Sequence, residues 1–65
     1  MPFIAMDTNK TSPEKKKALI EGFTKVASEV LGMPAAAFYV TIREMPDENW
    51  GVGGKVLTEL HKRDA

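Results

Sequence analysis

The segment SPEKKKALIEGFTKVASEVLG, residues 12–32, carries the pattern that decides the fold. Ser12 supplies a hydroxyl suited to an N-cap, Pro13 suits the first helical position, and Glu14 places an acid in the first turn. Thr11 with Glu14 offers a competing capping box one residue earlier. Both alternatives predict that a helix begins here.

The end of this segment and its apolar spacing favour one long helix over residues 13–31. Gly32 suits a C-cap, and Pro34 prevents continuation. Apolar residues recur at helical spacing, namely Leu19, Ile20, Phe23, Val26, Ala27, Val30 and Leu31. Charged residues fall largely on the other side, and we interpret the run Lys15, Lys16 and Lys17 as part of that solvated face.

Two short strands are predicted on either side of the helix. Residues 3–7 are mostly apolar, and a polar turn follows them. After a single turn at residues 34–37, apolar and polar residues alternate from Phe38 to about Met45, which is typical of a strand with one face packed on a helix. Strand, helix and strand in this order predict a right-handed βαβ unit with parallel strands.

The carboxyl-terminal part is less regular. Residues 46–49 break the second strand, and Trp50–Gly54 (WGVGG) favours a tight turn or hairpin. Residues 55–65 fit either a short strand or a helical turn, and the sequence leaves that choice open.

These elements define an α+β fold, a βαβ subunit with a C-terminal hairpin, as a single domain over residues 1–65. Two strands do not make an independent sheet, and one helix covers only one sheet face. A chain of 65 residues without cysteine also has little core and no disulfide to stabilise it. We therefore expect the sheet to be completed by formation of a homo-oligomer.

Composition argues against several classes of partner. Nine basic and nine acidic side chains cancel, so no strong field indicates nucleic acid or an anionic membrane. No apolar run approaches the roughly 20 residues that span a bilayer, and no signal peptide is recognised, so a cytoplasmic protein is expected. His61 is the single histidine and is interpreted as a surface residue, and Asp47 and Glu48 as solvated turn charges, so no metal site is expected.

Pro2 is the candidate for chemistry. Removal of Met1 would leave a secondary amine at the start of a strand. An α-amino group has a pKa of about 7.7 to 8.0, and desolvation or a nearby cation lowers it. A decrease of about one pKa unit makes such an amine a usable general base near neutral pH.

Four segments in order, MPFI at 1–4, SPEKKKALI at 12–20, VTIREM at 40–45 and NWGVGG at 49–54, resemble the 4-oxalocrotonate tautomerase family. The resemblance runs from Pro2 to about Leu57. It implies βαβ subunits that commonly form hexamers. It also implies an amino-terminal proline that acts as general base and acid on a small enol or 2-keto acid, with no cofactor.

The resemblance assigns further site residues by position. Trp50 stands where the family has an aromatic wall, while Thr11 and Tyr39 stand where substrate-binding arginines are usual. Lys10 could supply a point charge, and Tyr39 a hydrogen bond to a developing enolate. Arg43 shares the strand face of Tyr39 but lies about 13 Å further along, and ranks lower.

The sequence thus predicts a tautomerase with Pro2 and Tyr39 as catalytic residues and Lys10, Thr11 and Trp50 as substrate-binding residues. Two alternatives remain at this point. One is a non-catalytic oligomer of the same fold, which retention of Met1 would favour because Pro2 would then be a tertiary amide. The other is a dehalogenase or decarboxylase activity of the superfamily.

Overall fold

A computed structural model describes residues 1–64, with side chains described as far as Leu60. Strand β1 spans Phe3–Thr8 and helix α1 spans Pro13–Leu31. Strand β2 spans Tyr39–Glu44. The short strands β3 (Gly51–Val52) and β4 (Lys55–Val56) follow, and helix α2 spans Leu57–Asp64. Single 3-10 turns lie at Ala35–Ala37 and Asp47–Asn49.

The predicted helix is confirmed at both ends. Ser12 is the N-cap, and its hydroxyl accepts a hydrogen bond from the Lys15 N–H at 3.2 Å. The competing capping box would require Thr11 to be the N-cap, with Glu14 at the third helical position. Because Ser12 is the N-cap and Pro13 the first helical residue, Glu14 is instead the second helical residue, and the box does not form. Gly32 ends the helix with a φ of 66°, a left-handed conformation that glycine adopts without steric cost.

The parallel pairing of β1 with β2 is also confirmed. Phe3 pairs with Tyr39, and the register continues to Thr8 opposite Glu44. The first strand is one residue longer than predicted, and the second is one residue shorter at each end. Phe38 is excluded from β2 because its N–H donates to the Ala35 carbonyl and closes the preceding turn.

One face of the sheet packs on α1 and the other is open. Ile4, Met6, Val40 and Ile42 are half-buried on the helix side. The opposite side presents exposed residues, namely Phe3, Ala5, Asp7, Tyr39, Thr41 and Arg43. The apolar stripe of α1 divides similarly, since Leu19, Phe23 and Ala27 are partly covered while Ile20, Val26, Val30 and Leu31 are exposed.

The described side chains therefore form almost no core by themselves. Among the described side chains, Phe38 alone is buried, at 8% exposure. Among the helices within residues 1–64, none has the length and apolarity to cross a bilayer.

The carboxyl-terminal segment resolves the alternative that the sequence left open, because it contains both a strand and a helix. Val52 pairs with Lys55 in an antiparallel hairpin, confirming the turn predicted from WGVGG. Its two loop residues, Gly53 and Gly54, have φ values of 59° and 84°, as a type I′ turn requires. The expectation for His61 concerns a side chain outside the described ones.

The hairpin turn gives a stability prediction. Gly54→Ala forces a Cβ into a left-handed conformation and should lower the free energy of unfolding by about 1–2 kcal/mol. The matched control is Gly22→Ala, in the interior of α1 with open space around the new Cβ, which should raise that free energy by about 0.5–1 kcal/mol. Urea denaturation followed by circular dichroism measures both, and equal effects would contradict the turn assignment.

Candidate active site

The amino-terminal end of the sheet brings Pro2 and Tyr39 together. The Tyr39 N–H donates a hydrogen bond to the Pro2 carbonyl at 3.1 Å, which extends the parallel ladder one step before β1. Pro2 is half-buried, whereas Met1 before it is 82% exposed. Tyr39 and its register partner Phe3 are 49% and 60% exposed on the open face. The proline backbone is thus held in place beside an uncovered aromatic surface.

The other three predicted site residues lie at the opposite end of the sheet. Trp50 donates its indole N–H to the Met45 carbonyl at 3.1 Å, and the Met45 N–H donates to the Thr8 carbonyl at the end of β1. Trp50 lines a shallow depression of about 250 Å³ together with Asp7, Thr8, Asn9 and Leu57. Lys10 lines a second depression, of about 260 Å³, with Glu44, Met45 and Pro46.

These two groups are too far apart to act together within one protomer. From Pro2 to Thr8 is six residues of extended chain, about 20 Å at 3.3 Å per residue. The structure therefore brings Pro2 to Tyr39, and Lys10 and Thr11 near Glu44, but leaves the two groups at opposite ends of one subunit.

Arg43 is held by an ion pair. Its guanidinium Nε donates to Asp7 Oδ1 at 2.8 Å and Nη2 donates to Asp7 Oδ2 at 3.3 Å. This hydrogen bond, with the attraction of the carboxylate, raises the pKa of Arg43. The pair follows from the register, which places Asp7 opposite Arg43. A guanidinium already bound by a carboxylate is a poor substitute for the arginines missing at positions 11 and 39.

Glu44 is a residue of this region that the sequence did not single out. Its Oε2 accepts the Thr11 N–H at 2.7 Å, and its Oε1 accepts the Lys16 ammonium at 2.8 Å. Lys16 is consequently half-covered, and its assignment to the solvated face of α1 was wrong, because its side chain reaches the end of β2. The sequence did contain a signal for this contact. Glu44 is an acidic residue at the end of the second strand, and the loop that follows the first parallel strand begins opposite it.

The hydrogen bonds of Glu44 lower its pKa. The bond from Lys16 has the largest effect and the Thr11 N–H the next, with attraction to Lys16 and Lys10 also contributing and partial desolvation opposing them. The carboxylate therefore remains ionised at pH values where an unpaired glutamate is protonated, and it ties β2 to the loop and to α1.

Comparison with known proteins assigns the chain to a family. The family model described as Tautomerase enzyme matches residues 2–60. A 2-hydroxymuconate tautomerase of Comamonas testosteroni is 45% identical over 49 residues, 75% of this chain and 78% of that protein. A probable tautomerase, K2, of Dickeya dadantii is 39% identical over 65 residues, 97% of each chain.

A solved structure agrees with these sequence matches. The crystal structure of TomN, a 4-oxalocrotonate tautomerase homologue in the tomaymycin biosynthetic pathway, superimposes with a TM-score of 0.93 at 35% identity. The superposition covers 98% of this chain and 100% of the TomN chain. The chain is therefore an isomerase of the tautomerase class. More closely, it belongs to the 4-oxalocrotonate tautomerase family.

The lowered pKa of Glu44 gives a pH-dependent prediction. Because its folded pKa lies below the unfolded value of about 4.3, its stabilising effect is present above that value and is lost as the pH falls through the folded pKa. Glu44→Gln should therefore lower the melting temperature at pH 7, with a difference that shrinks towards pH 3. The control is Glu21→Gln, at an exposed position of α1. A difference that does not depend on pH would contradict the assignment.

Proposed function

We propose that the protein tautomerises a small enol or 2-keto acid, with the amine of Pro2 as general base and then general acid. The observation that carries the proposal is the position of Pro2, next to β1 and bonded through its carbonyl to Tyr39. The family match also begins at residue 2. Removal of the exposed Met1 would convert the Pro2 nitrogen from an amide into a secondary amine.

The reaction is a proton transfer within one molecule. Free-base Pro2 takes the proton from the enol hydroxyl or the α-carbon, and the electron pair released moves into the conjugated system. The dienolate oxygen of the substrate accepts a hydrogen bond from the Tyr39 hydroxyl, or the substrate's carboxylate faces Lys10. Protonated Pro2 then donates the proton to a different carbon, which gives the conjugated ketone. Nothing is oxidised or reduced, and the Pro2 amine returns to its starting state.

The complete site requires a second protomer. The predicted site residues form two groups that lie about 20 Å apart along one subunit, much further than a six-carbon acid can reach. One group is Pro2 with Tyr39, and the other is Lys10 with Thr11 and Trp50. Uncovered apolar side chains are available for association at both the open sheet face and α1, including Phe3, Tyr39, Val26 and Val30. We propose that a homo-oligomer brings one end of a subunit to the other end of a neighbour, and the family resemblance implies that this oligomer is a hexamer.

Association would also adjust the base. Within one protomer Pro2 is only half-buried. Covering it with a neighbour's aromatic wall at Trp50 removes water from the amine, which disfavours the ammonium form and lowers the amine pKa towards neutrality. The same wall would hold a planar conjugated substrate.

The substrate class follows from the groups available to bind it. The Comamonas relative is named for 2-hydroxymuconate, a dienol with two carboxylates. Here Thr11 and Tyr39 replace the expected arginines, and Asp7 holds Arg43. We therefore propose that a dienol acid with one carboxylate is used at least as well as 2-hydroxymuconate.

Pro2→Ala tests the mechanism. The variant should keep its circular dichroism spectrum and its oligomer mass but lose roughly 100-fold or more in kcat, as removal of a general acid–base group does. Intact mass establishes whether Met1 is absent in both proteins. The matched control is Pro34→Ala, a proline before a 3-10 turn, which should keep its activity. Wild-type activity in a folded Pro2→Ala protein would overturn the assignment.

Mixed oligomers test the shared site. Pro2→Ala and Lys10→Glu each damage a different contribution to it, so co-expressed subunits should form some sites with both contributions intact. Activity should then exceed the sum of the two separate variants. If both contributions came from one subunit, every protomer in the mixture would be defective and no activity would be regained. Native mass spectrometry verifies that mixed species form.

A further inference from the structure

The carboxylate of Glu44 joins three parts of the fold. It ends β2 opposite Thr8, the last residue of β1. The loop that carries Lys10 and Thr11 leaves β1 at this point and enters α1 at the Ser12 cap. Each oxygen of Glu44 has its own donor, the Thr11 N–H at 2.7 Å and the Lys16 ammonium at 2.8 Å. One side chain therefore links β2, the loop and the first turns of α1.

The Thr11 contact fixes the loop at the position where its direction matters. A short charge-assisted hydrogen bond to a backbone N–H fixes the peptide plane between Lys10 and Thr11. That plane joins the two residues predicted to meet substrate.

The charges around Glu44 are distributed unequally. Lys16 forms an ion pair with Glu44. Lys10 lines the same depression and is attracted by the carboxylate, but makes no ion pair within 4 Å among the described side chains. Glu44 thus neutralises Lys16 and leaves the ammonium of Lys10 as the cation open to an anionic ligand.

We propose that Glu44 is a positioning residue for substrate binding, which holds the loop so that Lys10 faces the carboxylate of the enol acid. The inference rests on the proposed function, because it takes Lys10 as a binding residue. Glu44 itself contacts no reacting atom. Its contribution should appear in KM, whereas Pro2 governs kcat.

The experiment measures kcat and KM for 2-hydroxymuconate in Glu44→Ala, Lys10→Ala and the double variant. Each single change should raise KM roughly 5- to 10-fold and leave kcat within about twofold. Because Glu44 acts through Lys10, the double variant should show little further increase. Glu44→Gln should recover much of the loss, since its amide oxygen can accept the Thr11 N–H. Lys16→Met removes the ion pair but keeps the Thr11 bond. It should lower the melting temperature and raise KM less than Glu44→Ala does, because the loop stays bonded while the Glu44 charge is left to attract Lys10.

Two results would overturn the proposal, namely an unchanged KM in Glu44→Ala, or increases in KM that multiply in the double variant. Pro2→Ala measured alongside separates this failure from that of the proposed function. Loss of activity in Pro2→Ala with an unchanged KM in Glu44→Ala removes only the role of Glu44. Full activity in Pro2→Ala removes the acid–base mechanism, while the KM effects of Glu44 and Lys10 are still measured independently.

Discussion

The parallel pairing of β1 with β2 is the constraint on which the rest of the structure depends. Parallel strands cannot be joined by a tight turn, so a long crossover is required, and α1 provides it. One crossover helix covers one face of the sheet. The other face keeps exposed aromatic side chains at Phe3 and Tyr39, and among the side chains of residues 1–60 only Phe38 is buried. The same topology that creates the fold thus leaves apolar surface uncovered, and burial of that surface would favour association.

The pairing also determines where chemical groups lie. Both strands begin at the same end of the sheet, where the Pro2 carbonyl is hydrogen-bonded to Tyr39. Both strands finish at the opposite end, where the polar loops and Trp50 lie. Under the proposed function, a base at one end of a subunit needs binding groups from the opposite end of another. Association then supplies the missing core, the missing site residues and the dry surroundings that adjust the proline pKa.

Local features of the fold were predictable from the sequence, and contacts set by strand register were not. The α1 boundaries follow from Ser12, Pro13 and Gly32, whose preferences act within a few residues. The bonds of Glu44 to Thr11 and Lys16 join residues 33 and 28 positions apart, and depend on the pairing of Thr8 with Glu44. Periodicity alone placed Lys16 in solvent, because it ignores how far a lysine side chain reaches.

The ion pair of Asp7 with Arg43 bears on substrate choice in the same way. Two hydrogen bonds direct the guanidinium along the open sheet face and occupy the fork that would grip a carboxylate. Under the proposed function, Lys10 then supplies a point charge without bidentate geometry, and one ammonium can neutralise one carboxylate. A second carboxylate on the substrate would be desolvated on binding without a matched partner, which costs free energy. Under the proposed function, the chain would keep the proline chemistry that the resemblance implies, while its specificity would shift towards acids with a single carboxylate.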